Sequence, residues 1–230
     1  MKVYAISDFH LSNGTDKPMD VFGEKWVGHW NKISDEWKKT ITDEDIVLSA
    51  GDTSWAMNLS EALPDLAAID ALPGRKFIIR GNHDYWWSSY KKINDCGFES
   101  ISFIQNNAFT AGDYVICGTR GWTVSDTELP EDEKKIYARE LLRLEMTLKE
   151  AEKSASTGKK ILLLMHYPPF NSRFEDSDFT KVIDRFKVDK AIYGHLHGTR
   201  SRYAAEIKKG NTEYVLTSCD FLNFVPLRIY

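Results

Sequence analysis

The stretch Lys76-Phe77-Ile78-Ile79-Arg80-Gly81-Asn82-His83-Asp84 changes character within a few residues. Phe77, Ile78 and Ile79 are apolar at consecutive positions, the pattern of a strand covered on both faces. The run ends at Arg80-Gly81, and Asn82, His83 and Asp84 follow with side chains that bind metals or move protons. The same succession recurs along the chain. Val3–Ser7 runs into Asp8-Phe9-His10, Ile46–Ala50 into Gly51-Asp52, Ile161–Met165 into His166, and Lys190–Tyr193 into Gly194-His195-Leu196-His197. Of the 6 histidines, only His29 lies away from such a strand end. In open α/β sheets ligands gather outside the carboxyl ends of the strands. These runs are therefore expected to deliver their polar residues to one edge.

Two further runs, Tyr114–Thr119 and Tyr214–Ser218, also read as strands. Gly210-Asn211 before the latter signals a hairpin and an antiparallel portion of sheet. Between the strands lie helical patterns. Phe22, Trp26, Trp30, Ile33, Trp37 and Ile41 recur at spacings of three and four and predict one helix. Tyr137, Leu141, Leu144, Leu148 and Ala151 predict another, opened by Pro130 and the acids Glu131-Asp132-Glu133. Phe179, Val182, Ile183 and Phe186 suggest a shorter third. Alternating strands and helices give an α/β class. With no repeat and no long linker, residues 1–230 read as a single domain.

The chain has 230 residues and a net charge of −4, with acids and bases mixed. No basic block is present, which argues against a surface built for a nucleic-acid polymer. Cys96, Cys117 and Cys219 show no metal-type spacing and read as reduced thiols, hence a cytoplasmic location. No apolar stretch approaches the length of a membrane span.

Imidazole nitrogen with carboxylate and amide oxygen, and no cysteine, suits a pair of divalent ions such as manganese, iron or zinc, and points away from structural zinc. Alternation along a strand would put Asp8 and His10 on one side with Phe9 facing away, and His195 and His197 likewise opposite Leu196. Gly51, Gly81 and Gly194 free the backbone to turn tightly. Each piece alone has an ordinary reading as a turn, a cap or a solvated histidine. Their conjunction at five strand ends does not.

Together, Asp8-x-His10, Gly51-Asp52, Gly81-Asn82-His83-Asp84, His166 and Gly194-His195-x-His197 resemble, in order, the motifs of the calcineurin-like metallophosphoesterases. The resemblance implies a four-layer α/β/β/α sandwich of two mixed sheets with a binuclear centre at one edge. It implies that Asp8, His10, Asp52 and His197 hold one metal. Asp52, Asn82, His166 and His195 would hold the other, Asp52 bridging, with His83 at the phosphate and leaving group. Unlike the serine/threonine protein phosphatases, the chain continues after Asp52 as Thr53-Ser54-Trp55-Ala56, without their further Asp and Arg. It is more similar to the small stand-alone bacterial phosphohydrolases of the superfamily.

The charges agree with such a role. Two carboxylates against two divalent ions leave positive charge for a small anionic phosphate ester, whether diester, monoester or pyrophosphate. Metal pairs of this kind clamp attacking and leaving oxygens and lower the pKa of a bound water. Direct attack by a bridging hydroxide is then expected, with Asp52 and His83 as the catalytic residues. A non-catalytic interaction module on the same fold and a nuclease are the alternatives. Several positions stay open. Arg120, at a strand end, either forks onto phosphate or pairs with an acid. Asp84 either orients His83 or caps a helix. Trp55, Tyr85, Trp86, Trp87, Trp122 and Tyr167 either pack in the core or wall the site. The Phe22–Ile41 helix either covers the site or packs beneath a sheet. His29 reads as a surface or supporting residue rather than a ligand. Oligomeric state is not legible.

Overall fold

The computed structural model describes residues 1–155, 158–198 and 206–230. The apolar runs form strands because both of their faces find cover. In β1 (Val3–Ala5), Val3 and Ala5 face inward while Tyr4 faces the outer layer. In β7 (Lys160–Met165), Leu162 and Leu164 face inward while Ile161, Leu163 and Met165 face out. A strand buried on both sides loses its alternation and reads as continuously hydrophobic.

One sheet has the order β11-β1-β2-β3-β4, with β2 at Ile46–Ser49, β3 at Arg75–Ile79, β4 at Ile101–Ile104 and β11 at Leu227–Arg228. Its strands are parallel except β11. The second has the order β5-β6-β7-β8-β10-β9. Here β5 spans Ala108–Ala111, β6 Tyr114–Thr119, β8 Val188–Tyr193, β9 Glu206–Lys209 and β10 Thr212–Leu216. Its edge strands β5 and β9 are antiparallel to their neighbours, and the β9–β10 hairpin turns at Gly210 as expected.

Leu48, Phe77 and Ile79 of one sheet meet Ile116, Leu162, Ile192 and Val215 of the other in a dry central layer. Helices α1 (His29–Thr40) and α2 (Leu59–Asp70) cover the first sheet with Ile33, Trp37, Leu66 and Ile69. A short α3 (Tyr90–Asn94) adds Ile93 to the same layer. Helices α4 (Glu131–Ala155) and α5 (Asp178–Asp184) cover the second sheet with Leu144, Leu148, Phe179 and Ile183. This is the four-layer α/β/β/α sandwich. Among the described residues no helix is long and apolar enough to cross a membrane.

One expectation fails. The Phe22–Ile41 pattern is not a single helix. Two 3-10 turns, Met19–Phe22 and Glu24–Trp26, precede α1, and Gly23 (φ 120) and Gly28 (φ 61) separate the pieces. Trp26 and Trp37 still point into one core, so the spacing reports burial correctly while the glycines set the boundaries.

Candidate metal centre

At the carboxyl edge the two sheets are joined by the chain itself. The Ser7 amide donates to the Thr217 carbonyl (2.8 Å), and the Cys219 amide donates to the Ser7 carbonyl (2.9 Å). Asp8 begins where this junction ends. It does not continue a strand: Asp8 has φ 61 and His10 φ 47. Strand alternation therefore does not aim these two side chains. A left-handed turn does, and it still buries Phe9 against Trp30 and Trp37 on the far side. Asp52 (φ 53) and His195 (φ 71) are likewise left-handed. Such conformations cost of order 1–3 kcal/mol each in a residue with a side chain and persist only where the surroundings impose them.

The glycines have a more specific task than turning. A Cβ on Gly81 would lie 2.1 Å from Asp52 Oδ1, and one on Gly194 would lie 2.5 Å from Asp8 Oδ2. Each removes a side chain so that a carboxylate can seat against backbone. Asp84 supplies the other support. It is fully buried and accepts from the amides of Asp52 (2.9 Å), Thr53 (2.8 Å), Ser54 (3.2 Å) and Gly81 (2.7 Å) and from Trp86 Nε1 (2.9 Å). Neither open reading of Asp84 describes this. It is the hub that locks the Asp52 loop to the Asn82 loop.

The side chains that these loops present converge in two groups. Ligand atoms of Asp8, His10 and His197 lie within 4.8 Å of one another, as do those of Asp8, Asp52 and His166. Asn82 Oδ1 lies 2.5 Å from His166 Nε2 and 2.9 Å from His195 Nδ1. Asp8 belongs to both groups, and Asp52 of the second also approaches the first, its Oδ2 lying 3.7 Å from His10 Nε2 and 3.5 Å from His166 Nε2. All seven expected ligands are thus brought to one place.

The hydrogen bonds fix what these atoms can do. His166 Nδ1 must donate to the Ala50 carbonyl (2.9 Å), because a carbonyl only accepts. Its Nε2 therefore carries a lone pair, aimed at Asn82 Oδ1. His197 Nδ1 donates to the Asp220 carboxylate (2.9 Å), so its Nε2 is the nitrogen that faces His10 Nε2 at 3.1 Å. The centre gathers acceptors with few protons to share, and divalent cations fit this donor set. Burial also favours the neutral imidazoles that ligation requires, lowering His166 and His195 each to about 3 and His10 well below its usual value. Of the ligand histidines His197 alone is raised: burial acts against its charge, but Asp220, Asp8 and Asp52 together outweigh it. Burial, with Asp52 adding to it, raises Asp8 to about 7. Without cations, then, two buried carboxylates resist ionising together.

His83 is held beside the pair rather than within it. Its amide donates to Asp52 Oδ1 (2.8 Å), and its ring packs 4.5 Å from Trp55. With His10, His197, Trp26 and Trp55 it lines a cavity of about 370 Å³. Trp55 stacks on His10 at 4.8 Å. Of the aromatic candidates for a site wall, Trp55 and Tyr167 reach the centre, Tyr167 lying 4.4 Å from His195. Trp86 and Trp87 pack in the core instead. The Arg120 guanidinium is stacked on Trp122 at 4.8 Å and lies 3.7 Å from the buried Glu140. His29 supports from behind, its Nε2 donating to the Phe9 carbonyl (2.8 Å).

Asp220 is a functional residue that the sequence reading misses. It orients His197 and also takes Lys25 Nζ (2.6 Å) and the Gly198 amide (2.9 Å). The signal is present, because Cys219-Asp220 follows Tyr214–Ser218 just as the ligands follow their own strands. Removing such a partner typically costs 10–100-fold in metal affinity. Asp220→Ala is expected to weaken metal binding at the His197 side by that factor, read by competition with a chromophoric chelator. Unchanged affinity would show that Asp220 does not set the imidazole.

Among curated proteins, none matches the chain. Among solved structures, a protein of unknown function from Aquifex aeolicus aligns over 99% of this chain and 95% of its own, with 19% identity and a TM-score of 0.53. The phosphopantetheinyl hydrolase of Mycobacterium tuberculosis aligns over 94% and 88%, with 15% identity and a TM-score of 0.55. At these identities the likeness is one of fold. The sequence model of the calcineurin-like phosphoesterases matches residues 1–199, a span that takes in every residue of the converging cluster, and the chain belongs to that family.

Proposed function

We propose that this protein is a binuclear phosphoesterase that hydrolyses a small anionic phosphate ester by direct attack of water. The observation that carries the reading is the position of Asp52 Oδ2 between His10 of one ligand group and His166 of the other. Asp8, His10, Asp52 and His197 would hold one ion, and Asp52, Asn82, His166 and His195 the other. Manganese, iron and zinc suit the donors. When bound, such a pair supplies positive charge to the phosphate oxygens and acidifies a water.

The chain's own residues do the rest. Ala50 and Asp220 hold Nδ1 of His166 and His197, so that Nε2 of each faces the centre. Asp84 keeps the loops of Asp52 and Asn82 in register. His83, in the cavity beside His10 and Trp55, would give a proton to the departing oxygen. The Trp26 and Trp55 faces offer that leaving group an apolar wall. A fold neighbour that is itself a hydrolase agrees with the class. A non-catalytic module has less support, since the complete ligand set and His83 are all present.

The test is a panel of phosphomonoesters, diesters, cyclic nucleotides and pyrophosphates. Chelated protein should be inactive, and activity should return with about two ions of manganese, iron or zinc per chain. Activity that persists with fewer than one ion per chain, by elemental analysis, would overturn the proposal.

A further inference from the structure

Four arginines meet outside the ligand cluster. Arg80 follows β3, Arg120 follows β6, and Arg139 and Arg143 lie one turn apart on α4. All four line one cavity of about 280 Å³, with Ser88, Gln105 and Asn106 on its wall. At about 30 Å³ per water, the space admits a solvated anion. The sheets set its place. Arg80 is two residues before Asn82, and the Arg120 carbonyl accepts the amides of His166 (3.0 Å) and Tyr167 (3.1 Å). The cavity therefore adjoins the Asn82–His166 side of the centre. The aromatic cavity instead borders His10 and His197.

A purely structural cluster would be neutralised, and this one is not. Its one lining carboxylate is Glu140, fully buried. A single oxygen of it, Oε1, faces Arg143 at 2.7 Å, Arg139 at 3.5 Å and Arg120 at 3.7 Å. Among the described residues no carboxylate lies within 4 Å of Arg80. The Nε atoms of Arg80 and Arg120 are buried without a hydrogen-bond partner. Arg120 stacks its face on Trp122, and on its N–H edge the one carboxylate is the shared Glu140 at 3.7 Å. Four cations against one anion leave a surplus of three, with unused donors in the fork geometry that matches phosphate or carboxylate.

We infer that Arg80, Arg120, Arg139 and Arg143 form a binding site for a phosphate-class anionic group. On the reading of function given above, on which this step rests, that group is a second anionic group of the substrate, carried apart from the ester that is cleaved. Glu140 is the fixed counterion that holds the arginines together when the site is empty.

The anion site can be tested without catalysis. Chelated protein, titrated calorimetrically with inorganic phosphate and tripolyphosphate at low salt, should bind both, tripolyphosphate more tightly. Arg139→Gln should weaken binding by about 10-fold or more, the loss of a charge-assisted contact. Arg139 is 53% exposed at its side chain, so the fold should tolerate the change. Glu140→Gln should do the opposite and tighten binding severalfold, a sign that mere damage to the helix would not give. Both variants should melt cooperatively. Absence of binding to the chelated wild type, or affinities indifferent to both substitutions, would overturn the site. Hydrolysis is scored separately on reconstituted protein with paired esters differing only by a second phosphate. A preference for the doubly charged ester that falls in Arg139→Gln supports the substrate role. Anion binding with no such preference would refute that role and keep the site, and no hydrolysis of any ester would fault the functional reading instead.

Discussion

Asp52→Asn is expected to be the most damaging single change at the centre. Asp52 Oδ2 stands 3.7 Å from His10 Nε2 and 3.5 Å from His166 Nε2, so one substitution weakens both proposed metal positions. Supporting residues alone are worth 10–100-fold in affinity, and a shared ligand should exceed about 100-fold. Metal content after reconstitution should fall from about two per chain to below one, with activity near background. The chelated variant should be no less stable than the chelated wild type. Burial raises both Asp8 and Asp52, and the Asp52 charge adds to the rise at Asp8, so an amide in place of one carboxylate relieves the pair. The amide side chain is nearly isosteric with the carboxylate it replaces, and its carbonyl oxygen can still accept the His83 amide. A variant that keeps full occupancy and activity within tenfold of wild type would show that Asp52 does not bridge.

His83→Ala separates proton transfer from metal binding. His83 contributes only its backbone amide to Asp52, and its ring lies against Trp55 and within 5.6 Å of His10. The variant should therefore retain both ions. General acid assistance is typically worth 10²–10⁴-fold, and the need for it depends on the leaving group. An alkoxide leaves poorly without a proton, whereas a nitrophenolate leaves unaided. The rate on an alkyl or ribose ester should fall by about that factor, and that on a nitrophenyl ester far less. Equal losses would assign His83 to phosphate positioning, and loss of metal would make it a ligand.

The layered architecture was legible because its strands are buried on both faces. Val3–Ser7, Ile161–Met165 and their counterparts are too apolar, too short and too regularly followed by polar turns to be anything else. The missing strands lacked that signature. β11 has two residues, β5 is largely uncovered, and β4, though mostly buried, is interrupted by Ser102 and followed by no ligand-type turn. Helix α2 was hidden by Pro64 within it. At the site, residue identities were readable but the cause of their aim was not. Asp8 and His10 face the centre through positive φ, which only the packing around Gly194 and Asp52 enforces. Asp84 as a hub, Asp220 as an orienting acid and the Glu140 cluster depend on contacts between distant segments, such as Asp220 with Lys25, and no local spacing announces them.

The junction at Ser7 also sets an order of events. β1, near the start of the chain, has β11 for one neighbour, and the Ser7 amide and carbonyl bond to Thr217 and Cys219. His197 takes its orientation from Asp220. On a ribosome the second and third ligand loops would be made long before the segment that anchors the first and last. Contacts of such sequence separation are slow to form. A nascent chain could join the Asp8, Asp52 and Asn82 loops early, since the Asp8 and His10 amides donate to the Gly51 and Asp52 carbonyls, while His197 and its anchor Asp220 are still to come. If the proposed pair of ions is bound, its secure capture should therefore be among the last steps of maturation, and premature metal would meet an incomplete site.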